Sequence, residues 1–483
     1  MLKHIIPVPK KVTEADGKFY TKKLAVCTDV SEWNTYVDVA VDAFSRTYFT
    51  DFENAECDVV LTKDESLKAA SYKINVDEKI VVSAPDDEGI CYGIATLLQL
   101  AEFDDVSGTI HVEKCTIEDW GDKDYRALMI DLVSSWHPLD KVLRLMDVCF
   151  YQKVKYVHLH LIDNTACRIP SKAYPALATP KYSYSYEDIQ VMRDYANARG
   201  LKLIPEFDIP GHARRLVTTY RDTFGNVLDE GAEIEGATTE IGFHIKTDDV
   251  ICAGSEKCFE GMKTLFAEVC ELFPESEYIH IGGDEAYIQV WDICETCRKY
   301  MKEHGIEDRY ELYSEYVARI AQVVIDLGRT PIVWEGFPRK GSERIPRQTI
   351  VCAWESHYNF APDLLEDGFK IINGSWQPLY IVFNSKRWTK ENIMDWNVCE
   401  WQHWWQHSKA TLNPIHVQDS DQVWGAQISL WGCTYENEIN ATVENLAAMS
   451  ERCWNLERRT DEKTWHSMSD KMSRKLHRMI QDR

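Results

Sequence analysis

Two adjacent carboxylates, Asp284 and Glu285, close the stretch Tyr278-Ile279-His280-Ile281-Gly282-Gly283-Asp284-Glu285. Its first four residues alternate with the period of a strand, and two glycines then interrupt it, which in a strand marks a bend or a close backbone approach. Neighbouring strand side chains point to opposite faces, so a straight strand would aim the two acids apart. A kink at the glycines would let both reach one cavity. The plainer reading is two acidic residues opening the next helix, where Asp and Glu suit the exposed N–H groups.

Other groups fit for chemistry follow apolar runs in the same way: Asp163-Asn164, Asp208-Ile209-Pro210-Gly211-His212, Trp334-Glu335, Trp354-Glu355, Trp376 and Trp431. The elements that would position them recur. Strand-like segments at 126–133, 154–163, 201–210, 278–285, 331–336, 349–355, 369–376 and 425–432 alternate with helix-like sequence at 140–151, 186–199, 260–272, 310–327 and 361–367. Strands alternating with helices imply parallel βαβ units. Eight of them, with nothing left over for a ninth strand, predict an α/β fold of the (β/α)8 TIM-barrel type. An open doubly wound sheet is the rival, but no Gly-rich phosphate loop opens any helix. In a barrel, active-site groups gather at the carboxyl ends of the strands, and the acids and tryptophans fall there. Polar groups and indole faces on one rim suit a ligand with hydroxyls and apolar ring faces, as a sugar has. Each tryptophan by itself could equally cap the barrel core.

Ahead of the barrel, residues 1–118 read as a small α/β support domain with neighbouring strands at 72–76 and 80–83 and an amphipathic helix at 88–100. Residues 119–483 then form the barrel. A net charge of -24 with no basic stripe argues against nucleic acid as a partner. No apolar run approaches the roughly 20 residues that span a bilayer, and no secretory signal is visible. Fifteen cysteines, spread through strands and helices, resemble buried small hydrophobes more than a disulfide framework. These features predict a cytoplasmic, reduced protein.

The strand-four sequence His280-x-Gly282-Gly283-Asp284-Glu285, with Pro205-Glu206-Phe207-Asp208-Ile209-Pro210-Gly211-His212-Ala213 and His158-Leu159-His160-Leu161-Ile162-Asp163-Asn164, resembles the motifs of glycoside hydrolase family 20, the β-N-acetylhexosaminidases. Ile6-Pro7-Val8-Pro9-Lys10 and the helix at 89–100 are similar to the small domain that precedes the family's barrel, so the resemblance spans nearly the whole chain. It implies substrate-assisted retention, an exception to the two-carboxylate rule. The substrate's 2-acetamido oxygen attacks the anomeric carbon, Glu285 protonates the leaving oxygen, and Asp284 orients the acetamido N–H. A neighbouring carboxylate and burial would raise Glu285 toward working pH. The resemblance makes His212 and Asp163 a pair that tunes this acid. It also makes Trp334, Trp354 and Trp431 the acetamido box, with Tyr380 donating to the acetamido oxygen; Trp376, read from its place at the end of strand seven, lines the same rim. No cofactor or metal is implied.

Three positions depart from the family. Where it carries an arginine after strand one stands Ser134; its aspartate two residues past Tyr380 is Val382; its glutamate two past Trp431 is Cys433, with Glu436 and Glu438 nearby as substitutes. The contacts that read the sugar's outer hydroxyls are therefore altered. The enzyme would tolerate both gluco and galacto configurations, or accept an already substituted sugar as lacto-N-biosidases do, or rebuild the contacts from 388–405. That segment holds Trp388, Trp396, Trp401, His403, Trp404 and Trp405. It reads as a loop after strand seven covering the site; the alternative is a subunit contact in a homodimer.

Cys294-x-x-Cys297 lacks a second pair at zinc-ligand spacing, which reads as packing cysteines able to form a disulfide. A metal-dependent hydrolase using His280, Asp284 and Glu285, and a carbohydrate-binding relative without catalysis, are the competing classes. Retention of both acids speaks against the latter.

Overall fold

The computed structural model describes residues 4–22, 24–48, 57–104, 106–231, 246–383 and 387–481, and of 435–437 the backbone only. The first unit is one mixed seven-stranded sheet built between Lys11 and Asp119. The predicted strand pair is present as Tyr72–Val76 and Ile80–Ala84, antiparallel, with Ile74 opposite Val82. The helix expected to be amphipathic, Asp87–Leu100, is instead buried almost all round. It lies between its own sheet and the barrel's first helix, Leu139–Tyr151. Two glycines allow that fit, because a Cβ at Gly89 would lie 2.2 Å from the Ser71 carbonyl and one at Gly93 2.4 Å from Val82 Cγ1.

Eight parallel strands form the barrel: Tyr125–Asp131, Tyr156–His160, Lys202–Ile209, Tyr278–Gly282, Thr330–Trp334, Ile350–Ala353, Lys370–Asn373 and Val423–Trp431. It closes because strand eight pairs with both strand seven and strand one. Helices Leu139–Tyr151, Tyr186–Asn197, Glu256–Leu272, Arg309–Asp326 and Ala361–Glu366 occupy the predicted places. All eight strands end earlier than the apolar pattern suggests. Strand two stops at His160 and strand four at Gly282, so Asp163, Asp284 and Glu285 stand past the hydrogen-bonded ladder.

A ninth strand does exist. Tyr380–Val382 pairs in parallel with strand eight, Tyr380 opposite Ser429 and Val382 opposite Trp431. Strand eight has nine residues against four in strand seven. Its upper half would otherwise expose an unpaired edge, and the returning chain covers it.

At the amino end of the barrel, Tyr125, Tyr156, Tyr278 and Trp424 close the floor, with ring centroids 4.6–5.8 Å apart, the spacing of offset and edge-on aromatic pairs. The two units meet through buried polar contacts. Lys153 Nζ donates to Tyr72 Oη at 2.7 Å and lies 3.2 Å from Asp119 Oδ2. The last helix, Glu462–Ile480, returns to the first unit, where Lys475 Nζ donates to the carbonyls of Gln99 and Ala101 at 2.7 and 2.6 Å. Thirteen cysteines are buried free thiols, but Cys27 and Cys57 form a disulfide, which corrects the expectation of a wholly reduced chain. Among the described residues, no helix is long and apolar enough to cross a membrane.

Candidate active site

The chain reverses sharply where strand four ends. Gly282, Gly283 and Glu285 have φ of +71°, +96° and +43°, a region that costs a non-glycine residue energy and recurs at functional sites. A Cβ at Gly282 would sit 1.8 Å from Asp208 Oδ1, so only glycine fits beside strand three. The Gly283 N–H points at that Asp208 oxygen across 3.3 Å, and its carbonyl accepts from Tyr313 Oη at 2.7 Å. This kink brings both carboxylates to one nitrogen: His212 Nε2 is 3.5 Å from Asp284 Oδ2 and 3.4 Å from Glu285 Oε2.

His212 follows strand three at φ +50° and turns its other nitrogen to Asp163, with Nδ1 3.0 Å from Oδ1. Burial alone would lower His212; Asp163, Asp208 and Asp284 outweigh it and hold the imidazole well above its usual range. Burial would likewise raise Asp163, but His212 and His160 pull it well below the usual carboxylate range. Both shifts favour an imidazolium–carboxylate pair. Asp284 is buried, whereas the Glu285 side chain is 45% exposed. The expectation that Glu285 is buried is corrected, because its side chain reaches outward past the kink.

The tryptophans converge. Trp334 centres lie 6.5 Å from Trp354 and 6.3 Å from Trp431, and Tyr380 stacks between Trp354 at 6.0 Å and Trp376 at 4.6 Å. Trp334 is only 1% exposed and donates its indole N–H to Glu206 Oε1 at 2.6 Å. It forms the base of the group while the others stand above it.

Glu206 escapes a reading focused on strand ends. It lies on strand three with His160 Nδ1 at 2.6 Å, His158 Nε2 at 3.0 Å and His280 Nδ1 at 3.2 Å. Burial would raise it, yet His160, His280 and His158 hold it well below its usual range. His160 is pushed well above its usual range by Glu206 against its burial. His280 is driven down to about 4 chiefly by burial and accepts the Gly282 N–H at 3.1 Å. Asp208, two residues on, is raised well above its usual range by burial and by Asp284. The signal for both was the period of two along strand three, which sends 206 and 208 inward together.

The rival metal set is not assembled. Among the described residues, His280 groups with His158 and Glu206, while Asp284 groups with Asp208 and His212. Glu335, expected at the rim, is fully buried and accepts the backbone N–H groups of Trp354 through Asn359 at 2.8–3.5 Å. It anchors the loop after strand six. Glu438 is also not free, since its Oε2 lies 2.5 Å from His137 Nε2 with both side chains buried. The Glu436 side chain lies outside the described residues. Ser134 is exposed, and the Cys433 thiol is buried, 3.5 Å from the carbonyls of Ile381 and Trp431. The aromatic segment follows strand seven but is not all loop, since it holds helix Lys390–Asp395 and strand Glu400–Trp401, which pairs with Ile415–His416; Trp401 is buried with its N–H on the Ala353 carbonyl at 2.9 Å, and Trp404 meets Trp376 edge-on at 5.6 Å.

An acid pair beside an aromatic box on the carboxyl rim of a closed barrel is the arrangement of a carbohydrate-cleaving enzyme. Residues 124–457 match the glycosyl hydrolase family 20 catalytic domain and residues 3–120 its domain 2, and the chain belongs to that family of glycoside hydrolases. It is 26% identical over 455 residues to the beta-hexosaminidase of Vibrio furnissii, covering 88% of this chain and 72% of that one. With beta-hexosaminidase subunit beta of Mus musculus it shares 26% over 416 residues, covering 83% and 71%. In fold it is similar to the exo beta-N-acetylglucosaminidase of Vibrio harveyi, solved with N-acetylglucosamine, at a TM-score of 0.81, 22% identity and coverage of 100% and 77%. The beta-N-acetylhexosaminidase of Bacteroides fragilis gives 0.76, 21%, 96% and 94%.

Proposed function

We propose that this enzyme is an exo-acting retaining β-N-acetylhexosaminidase that removes terminal β-linked N-acetylglucosamine or N-acetylgalactosamine with the help of the substrate's own acetamido group. The convergence of Asp284 and Glu285 on one nitrogen of His212, at 3.5 and 3.4 Å, carries this reading. Both acids come from one strand end, so neither is supplied from across a sugar ring as the two-carboxylate mechanism requires. The missing nucleophile is then the acetamido oxygen. It forms a bond to the anomeric carbon as the glycosidic bond breaks, and Glu285 gives its proton to the leaving oxygen. Asp284 holds the acetamido N–H and balances the charge of the oxazolinium. Water then adds to the anomeric carbon, giving its proton to Glu285 and releasing the acetamide.

The buried Asp284 and the exposed Glu285 suit these tasks, since a charge stabiliser works best away from water and a proton donor must meet the aglycone. Trp334, Trp354 and Trp431 enclose the acetamido methyl, Tyr380 donates to its oxygen, Trp376 extends the wall, and the His212–Asp163 pair orients Glu285. With Ser134, Val382 and Cys433 at the outer-hydroxyl positions, the site reads the acetamido group closely and the 4-hydroxyl loosely. The same observation supports, as a second reading, a substituted sugar cleaved in the manner of a lacto-N-biosidase.

Initial rates on aryl β-glycosides of N-acetylglucosamine, N-acetylgalactosamine and glucose test the proposal. Turnover of the N-acetyl substrates and none of the glucoside is expected. Glu285→Gln and Asp284→Asn each lower kcat by about 10²–10⁴-fold. Equal turnover of the glucoside removes the acetamido-assisted mechanism.

A further inference from the structure

Behind the catalytic rim, three buried cysteines from two distant stretches of sequence meet. Cys252 Sγ is 3.7 Å from both Cys294 Sγ and Cys297 Sγ, and the three sulfurs lie within 4.8 Å of one another. These contacts are too long for a disulfide, whose sulfurs are bonded at about 2.0 Å. They match another length. Tetrahedral zinc with Zn–S of about 2.3 Å holds its sulfur ligands about 3.8 Å apart.

A helix N-terminus faces the cluster. Cys294 caps helix Glu295–His304 and Cys297 lies in its first turn, where the helix dipole and unpaired N–H groups stabilise negative charge. The backbone is shaped for the approach: a Cβ at Gly254 would lie 2.7 Å from Cys297 Cα. Asn226 gives its amide N–H to the Val250 carbonyl at 2.7 Å, which turns its Oδ1 toward the group, 3.9 Å from Cys297 Sγ.

We propose that Cys252, Cys294 and Cys297 bind a structural zinc ion, with the fourth position facing Asn226 Oδ1 directly or through a water. Binding joins Zn²⁺ to three sulfurs as the thiols release their protons, with no redox change. The ion braces both catalytic loops. Cys294 ends the 3-10 turn Ile288–Ile293 that follows Asp284 and Glu285. Next to Cys252, the Ile251 N–H donates to the Pro210 carbonyl at 3.1 Å, two residues before His212, while its own carbonyl accepts the Trp291 indole N–H at 3.0 Å.

Elemental analysis of the full chain, purified without chelator, tests this. The expected result is one zinc ion per chain in the wild type. Cys252→Ser and Cys297→Ser should reduce it to a trace, while Cys270→Ser, a buried thiol elsewhere, keeps it. Cobalt exchanged into the wild type should show thiolate-to-metal charge-transfer absorption, so the site remains testable where a variant does not fold. Wild-type chain without stoichiometric metal, with these thiols free to a thiol reagent after denaturation or with two of them disulfide-linked, overturns the proposal. A different metal on the same thiols overturns the zinc assignment.

Discussion

His212 is the residue through which the site's electrostatics run. It faces Asp163 on one nitrogen and both Asp284 and Glu285 on the other. Because its folded pKa is raised, the stability it contributes is complete below its unfolded value of about 6.5 and is lost as pH rises through the folded value. Asp163 has the opposite sign: depressed on folding, it contributes above about 3.9 and loses that contribution as pH falls. Urea midpoints of the wild type should therefore be highest between these limits and decline on the alkaline side. His212→Asn removes part of that decline; the rest persists because His160 is raised in the same sense. An identical alkaline slope in wild type and variant would show that His212 is not charged in the folded enzyme.

At the scale of elements, the barrel supplies strand ends and the loops supply geometry. Glu335 illustrates the division. Its strand ends at Trp334, and its buried carboxylate gathers six consecutive backbone N–H groups from the loop that begins at Trp354. Hydrogen bonds to a charged group contribute about 1.5–3 kcal/mol each at most, and less when shared. Glu335→Gln keeps the volume but turns an amide donor toward these donors. The expected outcome is faster hydrogen exchange at 354–359 and a KM for N-acetyl substrates that rises more than kcat falls, because Trp354 loses its position while the acids keep theirs. Unchanged exchange in that loop would sink this account. From sequence, Glu335 was indistinguishable from a rim acid, since only the path of the following loop decides whether a carboxylate faces a ligand or the backbone.

For the whole molecule, the small unit and the barrel are joined through Lys153. This lysine is fully buried at φ +55°, beside Asp119 at the end of the first unit's last strand. Burial lowers its pKa, opposed by Asp119. Removing one partner of a buried ion pair costs about 3–5 kcal/mol. Lys153→Ala should lower the unfolding free energy of the entire chain by that amount in one cooperative transition. Two separate transitions, with the barrel's unchanged, would mean that the units fold independently.

The sequence by itself determined what depends on local pattern. Alternating runs and helix periods placed all eight barrel strands, because each side chain's face follows from the repeat of its own element. The Gly282-Gly283 interruption foretold the kink for the same reason, glycine being the residue that enters positive φ freely. Tertiary structure decided what depends on distant segments arriving together. Glu206 gained three histidines from two other strands. Glu438 was taken by His137 from 301 residues away. Cys252 joined a pair 42 and 45 residues further on. A short motif records spacing along one chain, whereas ligation and pairing require spacing in three dimensions, and only the closed barrel fixes that.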